Sequence, residues 1–151
     1  MELLKQNYVK YGLIMCAVIV VCLSIMEITG QNQSFDKSPI VAIWTFIAPG
    51  VIWYLGIKTR KDAQKGKLTF KEGVKEGFKI SLVFAIVSPF VFLAYYLLIN
   101  PEILSYVRKA YGLNSAAEGV VIATDMGVQF LSAVIFGTIY AAIISYFLKS
   151  K

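Results

Sequence analysis

Apolar residues in this sequence come in four long blocks, which are separated by short polar segments. A helix of about 20 apolar residues crosses a hydrocarbon core of roughly 30 Å, and each block reaches about that length. We therefore predict an all-α fold in which a single domain, residues 1–151, forms an integral membrane bundle of four transmembrane helices. The predicted spans are about 8–28, 39–57, 74–99 and 118–147.

Capping residues mark the starts of three of these helices. Ser38-Pro39 combines an N-cap serine with a proline at the first helical position, where no N–H is needed. Thr69 and Glu72 fit a capping box, in which each side chain satisfies an unpaired backbone N–H at the helix start. Ser115 and Glu118 show the same spacing. The third helix should therefore begin before its apolar part, as a charged amphipathic extension on one side of the membrane.

A short helix is predicted between spans three and four. Asn100-Pro101-Glu102 supplies an N-cap residue, a proline at the first helical position and an acid in the first turn. The helix should end by Gly112, because glycine readily adopts the left-handed conformation that closes a helix. Its apolar residues share one face, so we expect an interfacial helix. These residues are Ile103, Leu104 and Val107.

The second span contains Pro49-Gly50 near its middle. Proline removes a backbone hydrogen bond and its ring crowds the preceding turn. We therefore expect a kink in the second span at this point.

Composition supports a membrane protein and argues against most enzyme classes. The chain is 58% hydrophobic and 16% charged, whereas a soluble domain carries about 25% charged residues. It contains no histidine, which is the commonest general base and metal ligand. The sequence also shows no zinc-ligand spacing, phosphate-binding loop or cofactor fingerprint. We therefore expect no catalytic residue, no cofactor-binding residue and no metal site, and we do not predict an enzyme.

The net charge of +6 is distributed unevenly along the chain. Twelve Lys and Arg residues lie in the N-terminal segment, the connector 58–79 and the C-terminal tail, against three in the other loops: Lys37, Arg108 and Lys109. Because cytoplasmic loops are enriched in Lys and Arg, we predict cytoplasmic N- and C-termini in a multi-pass protein of the cell (inner) membrane. These charges lie beside apolar spans, so we expect anionic lipid headgroups as their partners and no nucleic acid.

Three lysines recur every four residues at the start of the third helix and share one face: Lys71, Lys75 and Lys79. Such a face either meets lipid headgroups or docks another protein. We expect the headgroup contact, because the apolar span follows directly.

A run of residues in and before the third span resembles a known family. Thr69-Phe70 and Gly77-Phe78-Lys79 lead into the span, and an aromatic-rich exit ends in Asn100-Pro101-Glu102. This run is similar to the central signature of a bacterial membrane family catalogued as domain of unknown function 4199. The start of the first span, Tyr11-Gly12-Leu13-Ile14, and the four-span layout are also similar. The resemblance implies a four-helix membrane protein and carries over no catalytic or binding residue.

Two rows of small residues at four-residue spacing predict close helix packing. The third helix carries Gly73, Gly77, Ser81 and Ala85, and the last helix carries Ala133, Gly137, Ala141 and Ser145. Small side chains let helices approach closely in a membrane, where no hydrophobic force drives their association. The rows fit either packing within one chain or a seam between copies of a homo-oligomer. We expect leucine at Gly77 to disrupt the bundle and alanine there to be mild by comparison.

Glu27 and Asp125 are acids within or at the edge of apolar spans, and with cytoplasmic termini both fall in the outer half. A carboxylate is costly inside a membrane, so such an acid marks a candidate functional site. Gln129 follows one helical turn after Asp125, and the partner of Asp125 could be Gln129, a tyrosine hydroxyl, or the counter-charges Arg108 and Lys109. This candidate polar site either pairs the acids structurally or binds a proton or cation. In both cases we expect Asp125 to face the bundle interior.

Two functions are compatible with these features. The first is a non-enzymatic membrane scaffold or accessory subunit that acts through helix packing with a second copy or another membrane protein. The second is a small oligomeric transporter or channel that uses Glu27 and Asp125. The two hypotheses differ in whether these acids converge on a polar cavity.

Overall fold

The computed structural model describes residues 6–31 and 38–150. The polar segment between the first two predicted spans lies mostly outside these residues. Lys5, Lys37 and Lys151, which belong to the charge count, lie outside them as well. Within the described ranges all regular secondary structure is helical, so the all-α prediction is confirmed.

Five helices follow one another along the described chain, and four of them are long and apolar enough to cross a membrane. They are α1 (Asn7–Ile28), α2 (Pro39–Ala63), α3 (Phe70–Leu98), α4 (Ile103–Ala110) and α5 (Glu118–Leu148). The four long helices cover the predicted spans, and α2 continues past its predicted end into the basic connector. The protein is therefore a membrane protein with four candidate spans.

Two predicted helix starts are confirmed by their caps. The Ser38 hydroxyl accepts the N–H of Ile40 at 3.3 Å, with a proline in the first turn of α2. At the start of α3, the Thr69 hydroxyl accepts the N–H of Glu72 at 3.3 Å. The Glu72 carboxylate in turn accepts the N–H of Thr69 at 2.9 Å, which completes the capping box. Helix α3 then runs without a break from its charged first turns into the apolar span.

The predicted start of α4 is wrong, whereas its predicted end is confirmed. The helix begins at Ile103, because the chain first makes a turn in which the Asn100 carbonyl accepts the N–H of Ile103. The Asn100 side chain does not cap this helix and instead donates to the Tyr95 hydroxyl at 3.4 Å. After Ala110 the chain turns at Gly112, whose φ of 67° is the left-handed conformation that glycine adopts without strain.

The predicted capping box at the start of α5 is also wrong. The N-cap residue is Ala117, which makes no side-chain cap. Glu118 is consequently the first helical residue and not the third, so its side chain is not placed to reach back to the Ser115 N–H. The local capping pattern therefore misplaced this helix start by about one half-turn.

The middle of α2 is a π-helical turn, Ile43–Ile47, which lies directly before Ala48 and Pro49. Proline lacks an N–H and its ring crowds the carbonyl four residues earlier, so the wider π register accommodates it. The helix is thus irregular directly before Pro49, and the predicted kink stays a prediction.

Helix α3 is central and contacts each of the other three spans. Gly12 of α1 lies so close to α3 that a Cβ added there would stand 2.7 Å from Val83 Cγ1. Gly56 of α2 lies against Ile80, which is fully buried. Glycine at these positions therefore lets α1 and α2 approach α3 closely.

The small-residue rows of α3 and α5 face each other within one chain, in antiparallel order. Gly73 lies opposite Ser145, Gly77 opposite Ala141, and Ser81 opposite Gly137. A Cβ added to Gly73 would stand 2.8 Å from the Ser145 Cβ, closer than side-chain carbons approach in folded proteins. The Ser81 hydroxyl also accepts the indole N–H of Trp53 at 3.0 Å, which links α2 to this seam.

Candidate functional site

Asp125 lies two turns into α5 and is only 4% exposed. The hydroxyl of Tyr96, near the end of α3, donates to its Oδ2 at 2.7 Å. The hydroxyl of Tyr111, directly after α4, donates to its Oδ1 at 3.0 Å. One carboxylate thus joins two spans and the loop that follows the short helix. We call Asp125, Tyr96, Tyr111 and Gln129 the Asp125 cluster.

Gln129 completes the cluster one helical turn after Asp125. Its amide nitrogen donates to the Asp125 carboxylate and, at 3.2 Å, to the Tyr96 hydroxyl. Its amide oxygen Oε1 is buried and has no hydrogen-bond partner in the described chain. Buried polar atoms are normally paired, so this acceptor stands out.

Arg108, the predicted counter-charge, is directed elsewhere. Its guanidinium donates to the backbone carbonyl of Ala116, in the segment between α4 and α5. The donors to Asp125 are all neutral groups, two tyrosine hydroxyls and one amide. The cluster is therefore a hydrogen-bonded carboxylate and not an ion pair with Arg108.

Tyr111 lies outside the membrane-spanning helices and its ionisation is affected by the cluster. Partial burial, the negative charge of Asp125 and the hydrogen bond to that carboxylate raise the pKa of Tyr111 to about 12. The hydroxyl accordingly stays protonated and able to donate across the neutral pH range.

Glu27 sits at the end of α1 in a separate polar group. The Tyr95 hydroxyl donates to Glu27 Oε2 at 2.8 Å, and the Asn100 side chain donates to Tyr95. Glu27 also lines a cavity of about 520 Å³ between α1 and α3, whose walls are otherwise mostly apolar.

The two acids bind adjacent tyrosines but lie on different sides of α3. Tyr95 turns towards α1 and Tyr96 towards α5, with ring centroids 6.4 Å apart. Asp125 does not line the cavity that Glu27 lines. The described residues therefore bring each acid to a tyrosine without bringing both acids to one cavity.

A second cavity, of about 380 Å³, lies between the four spans and adjoins the Asp125 cluster. Gln129 forms part of its wall, and the π-helical turn of α2 contributes Trp44, Thr45 and Phe46. The Tyr140 hydroxyl of α5 donates to the Phe46 carbonyl at 3.1 Å, beside this cavity. We refer to it as the membrane cavity.

Glu76 is a buried acid that the sequence interpretation missed. It is 7% exposed and accepts a hydrogen bond from the Asn7 amide at 2.7 Å. The same amide nitrogen donates to the Gly56 carbonyl at 2.8 Å, so one side chain links α1, α2 and α3. The available signal was its position one turn before Ile80, on the face of α3 that packs against α1 and α2. The lysines that flank Glu76 in the sequence made this buried position hard to recognise.

The basic face of α3 is exposed at Lys71 and Lys75. Lys79 is half-buried, and its ammonium group lies 4.8 Å from the ring centroid of Tyr8, a distance typical of a cation–π contact. The aromatic ring of α1 therefore holds the lysine nearest the apolar span.

The contacts that organise these acids are hydrogen bonds. Within residues 6–31 and 38–150, no group of three or more His, Cys, Asp or Glu side chains is arranged to hold a metal ion. The tyrosines that organise both acids were not predicted individually, although the Tyr95-Tyr96 pair at the end of a span was visible in the sequence. Each carboxylate needs donors at membrane depth, and a nearby tyrosine pair is a natural supply.

No curated protein and no solved structure matches this sequence. The model of one protein family does match it, over residues 10–150. That family is described as a protein of unknown function, DUF4199. The match covers nearly the whole chain, including α2, α3, α5 and all but the first three residues of α1, and agrees with the resemblance of residues 69–102. The chain therefore belongs to the DUF4199 family of proteins of unknown function.

Proposed function

We propose that this protein is a non-enzymatic membrane scaffold or accessory subunit that acts through helix packing, first of all with a second copy of itself. The observation that carries the proposal is a third small-residue row, Gly119, Ala123 and Gly127, on α5. All three residues are exposed, and nothing lies within 4 Å of a Cβ added to either glycine. This row is free, whereas the other two rows occupy each other.

A second copy fits this row for a geometric reason. Copies of one chain insert in the same orientation, so their α5 helices run parallel and present identical rows to each other. A two-fold axis then pairs the row with itself, which is the arrangement that small-xxx-small motifs support in membranes. Helix α5 is also the least buried of the four candidate spans.

Transport through Glu27 and Asp125 has less support. A transporter that uses both acids needs them on one pathway, and the two carboxylates are bound by tyrosines on different sides of α3. Their hydrogen bonds instead connect helices, which is the structural pairing that a scaffold requires.

The orientation and lipid contacts belong to the same proposal. We expect cytoplasmic termini, because twelve of the fifteen Lys and Arg residues lie in the terminal segments and the connector. We expect α4 to lie at the outer interface, because Ile103, Leu104 and Val107 are buried while its other face carries charge. The exposed Lys71 and Lys75 then meet anionic headgroups of the inner leaflet.

The test is the oligomeric state of the full chain in nanodiscs, compared between the parent, Gly127→Ala and Gly127→Leu. The parent and the alanine variant should be dimeric, and the leucine variant should be a folded monomer, because the site is open within one chain. A parent chain that remains monomeric at high protein-to-lipid ratio overturns the proposal.

A second measurement separates scaffold from transporter. In proteoliposomes under a pH gradient, the parent should carry no more proton flux than protein-free vesicles. Flux in the parent that disappears in Asp125→Asn, with the fold intact, would favour the transporter hypothesis instead.

A further inference from the structure

Four lysine–tyrosine contacts lie at one end of the bundle. In each contact the lysine ammonium nitrogen stands over a tyrosine ring, 4.3–5.9 Å from the ring centroid. At such distances the negative face of the ring attracts the cation. The pairs are Lys10 with Tyr11, Lys58 with Tyr54, Lys79 with Tyr8, and Lys149 with Tyr146. All four spans contribute to these pairs, which we call the lysine–tyrosine girdle.

Contacts between the helices place the girdle at a single level of the molecule. Tyr8 of α1 lies beneath Lys79 of α3, so one pair joins two spans directly. The hydroxyls of Tyr11 in α1 and Thr59 in α2 are hydrogen-bonded at 2.9 Å. Directly after α5, the Ser150 N–H and hydroxyl bond to the connector that precedes α3. The four pairs therefore lie together at the end of the bundle that carries the basic connector.

A tyrosine ring holds a lysine without cancelling its charge. A carboxylate partner would leave a neutral ion pair, whereas the ring contributes only a quadrupole. Each ammonium group brings three N–H donors, so a lysine held against a ring can still donate to a second partner. Two acids at this end are engaged within the fold, because Glu72 closes the capping box of α3 and Glu76 binds the Asn7 amide. The girdle therefore presents a band of positive charge to its surroundings.

Tyrosines at the opposite end of the bundle have acidic partners. Tyr95 donates to Glu27, and both Tyr96 and Tyr111 donate to Asp125. The same residue type thus meets cations at one end and carboxylates at the other. This contrast arises from tertiary contacts and gives the two ends of the bundle different charge.

The girdle is open to its surroundings at two pairs. Tyr54 is 41% exposed and Tyr146 is 60% exposed, and Lys58 and Lys149 are exposed beside them. Tyrosine rings settle at the level of lipid headgroups, because the ring is apolar and its hydroxyl is polar. A lysine over such a ring is held at that level before a lipid arrives. It therefore loses less conformational freedom on binding a phosphate than an unsupported lysine does.

We propose that the lysine–tyrosine girdle binds anionic phospholipids of the adjacent leaflet, each tyrosine holding its lysine against a lipid phosphate. Charge decides the occupant: a zwitterionic lipid carries the same phosphate but adds a positive group that the lysine repels. The girdle differs from the exposed Lys71 and Lys75, whose headgroup contact needs no aromatic partner. The proposal rests on the proposed orientation only in naming the leaflet, which is then the cytoplasmic one.

Electron spin resonance of labelled lipids measures this selectivity. The full chain in phosphatidylcholine liposomes receives a trace of chain-labelled phosphatidylglycerol or chain-labelled phosphatidylcholine, and the fraction of each label that the protein immobilises is compared. At low salt the parent should prefer phosphatidylglycerol by about 2- to 5-fold, near the factor that one lysine supplies at a membrane surface. The preference should weaken in about 1 M salt, where charges at the surface are screened.

A tyrosine variant isolates the part played by the rings. Tyr54→Leu combined with Tyr146→Leu removes two rings and no charge, at positions exposed enough to leave the fold intact. The preference for phosphatidylglycerol should fall clearly below that of the parent, although the net charge is unchanged.

Two lysine variants separate the girdle from the overall charge. Lys58→Gln combined with Lys149→Gln removes two paired charges and should lower the preference at least as far as the tyrosine variant. Lys65→Asn combined with Lys67→Gln removes two exposed charges from the connector and should keep more of the preference. Asparagine suits position 65 because its φ of 55° is left-handed.

Each contrary outcome overturns the proposal. A parent without preference for phosphatidylglycerol shows that the girdle selects no anionic lipid. A tyrosine variant as selective as the parent shows that the rings play no part. An equal loss in both lysine variants shows that overall charge, and not the girdle, attracts the lipid. None of these results bears on the Gly119, Ala123 and Gly127 row, which the oligomeric state tests separately.

Discussion

The contact between Gly77 of α3 and Ala141 of α5 offers a quantitative test of the helix seam. A Cβ added to Gly77 would stand 3.2 Å from both Ala141 Cα and Ile57 Cδ1, and closer still to the Ala141 methyl. Because carbon atoms pack best at roughly 3.5–4.0 Å, the two helices must separate by an appreciable fraction of an ångström along the whole seam. Even Gly77→Ala should therefore destabilise, although less than Gly77→Leu.

We expect Gly77→Ala to lower the free energy of unfolding by about 1–3 kcal/mol, the usual cost of overpacking. The double variant Gly77→Ala with Ala141→Gly moves the methyl group to the opposite helix and should recover most of that loss. Gly127→Ala, measured in dilute detergent in which the chain is monomeric, is the matched control and should be neutral or slightly stabilising, because its site is open within one chain and alanine favours the helix.

Reversible unfolding in mixed detergent micelles measures this directly, with the parent, Gly77→Ala, Ala141→Gly, the double variant and the Gly127→Ala control as the five proteins. A double-mutant cycle should give a coupling energy of about 1 kcal/mol or more between positions 77 and 141. If Gly77→Ala is as stable as the parent, or if the swap is no better than the single variant, the seam is not closely packed.

Three further predictions concern single groups. In a spectrophotometric titration, Tyr111→Phe should remove a tyrosine that ionises near pH 12, and Asp125→Asn should return its pKa towards the ordinary value of about 10. The sign follows from the raised pKa: the stability that the Tyr111 bond contributes is complete below pH 10 and is lost as pH rises towards 12. Asn7→Ala leaves the Glu76 carboxylate buried without its amide donor and should cost about 1–3 kcal/mol of unfolding free energy, whereas Glu76→Gln retains an acceptor oxygen and should cost less. A cysteine at Lys65 should resist a membrane-impermeant maleimide added to intact cells, and labelling there would reverse the proposed topology.

Much of the architecture was predictable because membrane length and helix capping are local properties. Four apolar blocks of span length specify four helices, since a backbone inside lipid must satisfy its own hydrogen bonds. The Thr69–Glu72 capping box specified the start of α3, because both partners lie within one turn. The same pattern failed at Ser115, where Ala117 became the N-cap and shifted Glu118 out of position.

The tertiary structure decided which polar groups meet. The sequence showed that Asp125 is costly in lipid and should face inwards, and the structure buries it. It did not show that Tyr96 and Tyr111 would be its donors, because these residues come from two other segments of the chain. Its positive charge made Arg108 a candidate partner for Asp125, but the Arg108 guanidinium donates to the backbone carbonyl of Ala116 instead.

Small-residue rows show the same division between local and tertiary information. Their four-residue spacing is legible in the sequence, because it places small side chains along one side of a helix. Which rows pair depends on how α3 and α5 are arranged, and only the fold shows that Gly77 faces Ala141 while Gly127 remains open. The membrane cavity likewise arises where four helices fail to fill the space between them, which no single helix records.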